Sequence, residues 1–240
     1  MCGVLLAFFF AVSSSQAQTT DSSFVMRHRS ATIGAVGMVS TLVLFSADES
    51  LLRRLRTPSL QNNLTLHNTA DFFNALGGPG AVIASATFLG TGLLSHNVTV
   101  TQLGVRSSQA LLIGSTATAM LKGAFGRQRP FIDEHKSRVF AFGRGFGTPG
   151  RTSMPSGHAT SAFAVATALS HELRVRAPRA GRVATPMLYS AATFVAISRV
   201  YGAHHWPSDV AAGAMIGLLS GTLVTRRDVD IGATGVRWRF

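Results

Sequence analysis

The sequence predicts an all-α fold, a bundle of six membrane-spanning helices. The first observation is composition: of 240 residues, 46% are apolar and 13% are charged, about half of the roughly 25% charged share of soluble domains. The second is a series of six mostly apolar segments separated by polar connections. A membrane span needs roughly 17–25 residues. The segments are therefore short for spans, and the buried helices of a soluble all-α protein remain the alternative.

The apolar segments are rich in Gly, Ala, Ser and Thr. They cover residues 31–47, 76–94, 103–121, 157–172, 185–202 and 208–225. In the last segment Gly213, Gly217 and Gly221 recur every four residues, a spacing that lets helices pack closely. Residues 48–60 predict a short amphipathic stretch at the membrane interface. Residues 131–154 form a loop of a length that is usually functional or disordered.

The two ends of the chain differ from this pattern. Residues 1–17 have a short apolar run followed by small and polar residues, which predicts a signal peptide or an N-terminal anchor. The only cysteine is Cys2, so no disulfide within the chain is expected. Residues 18–227 then form the helical domain, and residues 228–240 form a C-terminal tail.

The charge of the chain is strongly one-sided, with 22 Lys and Arg against 10 Asp and Glu. Nucleic-acid binding is one interpretation of this excess of basic residues, but the apolar segments leave little surface for a basic groove. Anionic phosphate ligands and anionic lipid surfaces suit a basic, apolar chain better. The connection at 173–184 is itself basic, which indicates a cytoplasmic side for that loop.

The first polar cluster is KGAFGRQRP, residues 122–130, at the end of the third segment. Lys122 and Arg129 are seven residues apart, close to two helical turns, so both cations can share one face. Pro130 ends any helix there. Taken alone, the cluster is equally consistent with the positive flank of a membrane helix.

The second cluster is MPSGHATSAF, residues 154–163. Pro155 suits the first position of a helix, which places Ser156, Gly157 and His158 in the first turn. Free backbone N–H groups and the helix dipole favour an anion at that position. Gly157 allows a ligand to approach the backbone, and Ser156 adds a hydroxyl donor. The alternative is an ordinary helix start with an incidental histidine.

The third cluster is SRVYGAHHWPSD, residues 198–209. Arg199 offers a fork of donors for phosphate oxygens. Asp209 follows His205 by four residues, so its carboxylate can fix the tautomer of that imidazole. The alternative for Asp209 is a favourable charge at a helix N-terminus. These residues by themselves do not decide whether His204 or His205 performs chemistry.

Together the three clusters resemble the three-part signature of the type 2 phosphatidic acid phosphatase superfamily. The matching residues are Lys122-x6-Arg129-Pro130, Pro155-Ser156-Gly157-His158 and Ser198-Arg199-x5-His205-x3-Asp209. The superfamily includes lipid phosphate phosphatases, bacterial class A acid phosphatases and vanadium haloperoxidases. The resemblance covers residues 122–209 closely and says little about residues 1–100.

The resemblance implies a phosphatase that hydrolyses lipid phosphate monoesters or diphosphates through a phosphohistidine, without a metal or other cofactor. His205 matches the nucleophile, Asp209 the residue that orients it, and His158 the general acid and base. The residues expected to bind the phosphoryl oxygens are Lys122, Arg129, Ser156, Gly157 and Arg199. His204 is out of register and is expected to line the wall of the site. Vanadate is expected to inhibit the enzyme.

The partners that the resemblance implies are a phospholipid or polyprenyl phosphate substrate and the membrane. The expected location is the bacterial inner membrane, with the active site facing the periplasm opposite the basic 173–184 loop. A cleaved signal followed by six full spans would reverse this orientation. Either residues 1–17 are not a working signal, or one early segment does not span. The alternatives are a soluble periplasmic acid phosphatase, a vanadium-dependent haloperoxidase, and a transport or scaffold protein without activity.

Overall fold

Eight α-helices and a two-stranded hairpin make up the part of the chain that the computed structural model describes, residues 22–225, 229–232 and 235–238. The helices are α1 (Ser22–Leu55), α2 (Pro58–Gln61), α3 (Leu64–Ala75), α4 (Ala81–Leu94), α5 (Val98–Phe125), α6 (Gly157–Arg176), α7 (Pro178–Tyr201) and α8 (Pro207–Val224). The antiparallel strands β1 (Val229–Gly232) and β2 (Gly235–Trp238) lie in the predicted tail. The predicted leader, residues 1–17, lies outside the described residues.

Each of the six predicted apolar segments corresponds to a long helical run. The second run begins earlier than predicted, because α3 and α4 are joined by a single π-helical turn, Leu76–Gly80, that contains Pro79. The first run ends later, since α1 continues to Leu55. Residues 48–55 therefore belong to α1 and are not a separate interfacial stretch, and only Pro58–Gln61 forms a short helix of its own.

Helix α6 lies at the centre of the bundle and packs against α5, α7 and α8, while α1 packs against the outer side of α8. The predicted glycine ridge of α8 faces α6. A Cβ atom added at Gly217 or Gly221 would lie 2.5 Å from an atom of α6, and one added at Gly213 would lie 2.4 Å from the carbonyl oxygen of Ser156, just before α6. The small residues thus allow the two helix backbones to touch, as the four-residue spacing predicted.

We expect Gly217→Ala to lower the melting temperature of the detergent-solubilised protein by several degrees. The added Cβ would lie 2.5 Å from the Thr160 carbonyl oxygen and 2.8 Å from the Phe163 Cβ, and such overpacking costs about 1–3 kcal/mol. Gly34→Ala is the matched control, since among the described residues no atom beyond its own turn of helix lies within 4 Å of its added Cβ and alanine favours helix. Equal melting temperatures for the two variants would contradict this packing.

Among the residues that the structure describes, four helical runs are long and apolar enough to cross a membrane: His28–Leu55, Leu64–Leu94, Pro178–Tyr201 and Pro207–Val224. Large apolar side chains also cover the outer surface of the bundle. Examples are Met38, Val39, Leu42 and Val43 on α1, Val82 and Ile83 on α4, Leu112 and Met120 on α5, and Met187 and Phe194 on α7. A large apolar surface of this kind is typical of a face that contacts lipid. We therefore treat the chain as a membrane protein.

The contacts between α1 and α8 show which helix ends lie together. Asp48, near the end of α1, contacts Ser208 at the start of α8, and Gly37 lies against Met215 further along. The two helices are thus antiparallel, so α1 ends where α8 begins. The connections α5–α6 and α7–α8 lie at this same end. The start of α1 and the α6–α7 connection lie at the opposite end.

Candidate active site

All eight predicted site residues lie at this one end of the bundle. Lys122 is in the last turn of α5, Arg129 in the following loop, Ser156, Gly157 and His158 at the start of α6, Arg199 in the last turn of α7, His205 in the α7–α8 loop and Asp209 in the first turn of α8. Helix α6 begins at Gly157, two residues later than predicted, so Ser156 occupies the N-cap position.

The imidazole of His205 is held in a single tautomer. Its Nδ1 lies 2.7 Å from the carbonyl oxygen of Ser153, and a carbonyl oxygen can only accept a hydrogen bond. Nδ1 therefore carries the proton, and Nε2 keeps its lone pair. The residue is 2% exposed, and this burial lowers the pKa of His205 to about 3. His205 is thus a neutral imidazole with a free Nε2 at physiological pH.

Asp209 has a different hydrogen-bond arrangement from the one that its spacing predicted. Its Oδ2 lies 3.8 Å from Nδ1 of His205, beyond hydrogen-bond length. The carboxylate instead accepts from Arg127 Nη1 at 2.6 Å, Ser153 Oγ at 2.5 Å and the Trp206 backbone N at 2.9 Å. Asp209 therefore acts on His205 as a nearby negative charge and through Ser153, whose carbonyl oxygen orients the ring.

Three basic side chains lie around the space next to His205. Lys122 Nζ donates to the Thr152 carbonyl oxygen at 2.6 Å, and Arg129 Nη2 donates to the Thr152 hydroxyl at 3.0 Å. Arg199 Nη1 donates to Oδ1 of Asn74. Burial lowers the pKa of Arg129, and the charge of Asp209 partly offsets that effect. Guanidinium groups stay protonated in proteins, so the site is strongly positive.

Two buried donors at this site have no hydrogen-bond partner among the described residues. They are the Ser156 hydroxyl and Nε of Arg199. Leaving a buried donor unsatisfied costs about 1–3 kcal/mol. The backbone N–H groups of the first turn of α6 also lack acceptors within the helix. Oxygen atoms of a bound phosphoryl group would satisfy these donors, which supports the predicted anion site.

His158 faces the same space and is enclosed by the π-helical turn. A Cβ atom at Gly78 would lie 2.9 Å from Nε2 of His158, and one at Gly77 would lie 3.2 Å from its Cβ. Arg199 and His204 both act electrostatically on His158, which places His158 on the same side of the bundle end as these groups. The sequence did not predict that the Leu76–Gly80 turn forms a wall of the site.

The part of the site that the sequence missed is a fully buried ion cluster behind Asp209. Arg127 forms salt bridges of 2.6 Å to both Asp209 and Asp48. Arg127 stands within the spacer between Lys122 and Arg129, where the signature specifies no residue type. Asp48 lies just beyond the first predicted apolar segment.

The sequence profile of the PAP2 superfamily matches residues 104–231, more than half of the chain. The chain belongs to the PAP2 superfamily. The matched range contains α6 and α8, the last turn of α5 with Lys122, and all eight predicted site residues.

Two curated proteins are similar to part of the sequence. A lipid A 1-phosphatase of Porphyromonas gingivalis is 42% identical over 71 residues, which cover 30% of this chain and 15% of that protein. A PA-phosphatase related-family protein of Dictyostelium discoideum is 33% identical over 138 residues, 54% of this chain and 49% of that protein. The chain thus matches half or less of the length of these relatives.

Two solved structures share the fold. A transmembrane PAP2-type phosphatidylglycerolphosphate phosphatase from Bacillus subtilis aligns with a TM-score of 0.54 at 19% identity, covering 81% of this chain and 93% of that one. LpxE of Aquifex aeolicus aligns with a TM-score of 0.53 at 24% identity, covering 73% and 92%. These alignments confirm the predicted helical fold.

The burial of a neutral His205 has a consequence for stability. The unfolded histidine has an ordinary pKa of 6.5 and takes up a proton as the pH falls, whereas the folded one stays neutral until about pH 3. The stability that His205 contributes is therefore present above pH 6.5 and is lost towards acid. We expect the melting temperature of the wild type to fall more steeply from about pH 7.5 to 4.5 than that of His205→Asn. Parallel curves would contradict a buried neutral imidazole.

Proposed function

We propose that this chain is a phosphatase that releases phosphate from lipid phosphate monoesters or diphosphates through a phosphohistidine intermediate on His205. The observation that carries the proposal is the hydrogen bond between Nδ1 of His205 and the Ser153 carbonyl oxygen. It leaves Nε2 as a nucleophile beside Lys122, Arg129 and Arg199. A fixed nucleophile next to converging cations is the arrangement that phosphoryl transfer requires.

In the first step Nε2 of His205 attacks phosphorus, the N–P bond forms and the bond from phosphorus to the leaving oxygen breaks. His158 gives a proton to that oxygen. The imidazole keeps its Nδ1 proton and becomes positively charged, and the carboxylate of Asp209 at 3.8 Å balances that charge. Water, deprotonated by His158, then attacks phosphorus; the N–P bond breaks, inorganic phosphate leaves and the neutral His205 is restored.

The cationic groups stabilise the phosphoryl oxygens during both steps. Lys122, Arg129 and Arg199 supply positive charge, while the Ser156 hydroxyl and the Gly157 N–H supply hydrogen bonds at the start of α6. The described residues include no group of three or more His, Cys, Asp or Glu suited to a metal ion. A metal-independent mechanism with vanadate as an inhibitor remains our prediction.

A lipid substrate is supported by the apolar outer surface of the bundle and by the relatives. One relative is named for lipid A, and one solved structure for phosphatidylglycerol phosphate. Phosphatidic acid, phosphatidylglycerol phosphate, a polyprenyl diphosphate and a lipid A phosphate are the substrate classes that we propose to compare.

We place the site on the periplasmic face of the bacterial inner membrane. The basic residues 173–184 are not a loop but form the end of α6, Ala177 and the start of α7. They lie at the end of the bundle opposite His205, and basic flanks of membrane helices remain cytoplasmic. Helix α1 starts at that same cytoplasmic end, which agrees with the alternative in which residues 1–17 are not a working signal. A cysteine introduced as Ala180→Cys in a Cys2→Ser background should react with an impermeant thiol reagent only in permeabilised cells. Labelling in intact cells would overturn this orientation.

The substrate experiment measures phosphate release by detergent-purified protein from these four lipid classes and from a water-soluble phosphomonoester. His205→Ala, purified in parallel, corrects for contaminating phosphatases. We expect kcat/KM for at least one lipid to exceed that for the soluble ester by about tenfold or more, since apolar contacts discriminate by 10–200-fold. Preference for the soluble ester, or active enzyme released from cells without detergent, would favour a soluble acid phosphatase instead.

A further inference from the structure

The guanidinium of Arg127 has all five of its N–H groups in hydrogen bonds. The two Nη1 protons reach Asp209 Oδ1 at 2.6 Å and Ser208 Oγ at 2.7 Å. Nη2 reaches Asp48 Oδ2 at 2.6 Å and the Ser137 carbonyl oxygen at 2.7 Å, and Nε reaches the same carbonyl at 3.0 Å. A planar fork with five donors is specific to arginine. Lysine has three donors on one atom and cannot span these acceptors together.

Asp48 accepts a hydrogen bond from Nη2 of this guanidinium, on the side away from Asp209. Its Oδ2 accepts from Arg127 and from the Ser208 hydroxyl at 2.7 Å, and its Oδ1 accepts from the Ser208 N–H at 2.8 Å. Asp48 is 1% exposed and belongs to α1, 79 residues away from Arg127. Helix α1, which carries none of the signature residues, is thereby connected to the catalytic end of the bundle.

Aromatic rings close the cluster off from water. The guanidinium carbon of Arg127 lies 4.9 Å from the ring centre of Phe45, 5.3 Å from that of Phe140 and 5.7 Å from that of Trp206. Charges in such a dry environment interact strongly. A buried ion pair is nevertheless weak evidence for a stabilising role, because desolvation offsets its attraction. The position of the cluster beside Asp209 indicates a different role.

We propose that Arg127, held by Asp48, is a positioning residue that fixes the Asp209 carboxylate for phosphoryl transfer at His205. This inference rests on the proposed phosphatase function. Arg127 binds Oδ1 of Asp209, so Oδ2 is turned toward Ser153 Oγ and lies 3.8 Å from Nδ1 of His205. The negative charge of Asp209 is therefore in place when the imidazole becomes positive in the phosphoenzyme. Without the guanidinium, Oδ1 loses its partner and the carboxylate can turn away from the ring.

The test replaces Arg127 by lysine and uses Arg106→Lys as the matched control. Arg106 is also buried, donates to the Val224 carbonyl oxygen at 2.8 Å and lies 3.8 Å from Glu172. It is on α5, 16 residues before Lys122, hence about 24 Å from the site along the helix. Each variant is assayed in detergent for kcat, KM, inhibition by vanadate, inhibition by inorganic phosphate, and melting temperature.

We expect Arg127→Lys to lower kcat by about 30-fold or more while KM changes by less than about threefold, the pattern for an interaction needed in the transition state. The inhibition constant of vanadate, which mimics that state, should rise in parallel, and that of phosphate should change little. Arg106→Lys should show a similar loss of melting temperature with activity near wild type.

A folded Arg127→Lys enzyme with kcat within threefold of wild type would overturn the inference, as would equal losses of kcat in both lysine variants. If Arg127→Lys does not fold, Asp48→Asn decides the matter, with an expected fall in kcat of about 3–10-fold at unchanged KM. An Asp48→Asn enzyme with wild-type kcat would contradict the role of Asp48 and Arg127. Failure of the proposed function is distinguishable from failure of this inference. The proposed function is contradicted if wild-type protein releases no phosphate or if His205→Ala is as active as wild type.

Discussion

We expect His205→Ala to lower kcat for phosphate release by about 10⁴-fold or more, the size of effect seen when a covalent nucleophile is removed. Nε2 of His205 is the imidazole nitrogen that the structure leaves with a free lone pair, because Nδ1 is bound to the Ser153 carbonyl oxygen. Phosphate release measured with purified protein checks the prediction.

The matched control is His204→Ala, which removes the adjacent histidine. His204 is only partly buried and lies beside Arg199 at the rim of the site. We expect this variant to keep kcat within about fivefold of wild type, since His204 is not the residue proposed to attack phosphorus. Comparable losses of kcat in His204→Ala and His205→Ala would contradict the assignment of His205 as the nucleophile, because they would indicate general damage to the site.

The second large effect is expected for His158→Asn, and it depends on the leaving group. An alkoxide leaving group needs a proton, and general acid catalysis contributes about 10²–10⁴-fold. We expect kcat to fall by about that factor for a lipid phosphate, whose leaving oxygen is an alkoxide. A p-nitrophenyl phosphate leaves as a stable phenolate, so attack on this substrate should fall by a much smaller factor.

The His158→Asn experiment compares the two substrates in single-turnover mode, which isolates formation of the phosphoenzyme from its hydrolysis. Asn74→Ala serves as a control, because it removes the acceptor of Arg199 and should slow both substrates by a similar factor. Equal losses for both leaving groups in His158→Asn would contradict the assignment of His158 as the general acid.

The sequence was sufficient to predict the parts of the site that are local in the chain. The pair His205 and Asp209 stands at a fixed spacing, and Ser156, Gly157 and His158 form one helix start, so pattern and resemblance could find them. The glycine ridge of α8 was found in the same way, since a spacing of four residues defines one helix face.

The remaining contacts join residues that are far apart in sequence, and no local pattern marks them. Asp48 and Arg127 are separated by 79 residues, and Asn74 and Arg199 by 125. The amphipathic pattern of residues 48–60 predicts that Asp48 lies in an interfacial stretch. In the fold, Arg127 and Ser208 donate hydrogen bonds to the Asp48 carboxylate. Asp48 can therefore be buried, and α1 continues past it to Leu55. The Gly77 and Gly78 contacts with His158 depend on a π turn that propensity does not predict.

The most direct test of the mechanism is to trap the phosphorylated protein and locate the phosphate. Wild-type protein would be mixed with substrate carrying radioactive phosphate, quenched in denaturant within the first turnover and digested. Phosphohistidine is stable in alkali and labile in acid, so this lability identifies the bond. We predict one alkali-stable label on the peptide that contains His205, absent from His205→Ala and longer-lived in His158→Asn. An active enzyme whose label is absent, or is attached to another residue, would contradict the proposed mechanism.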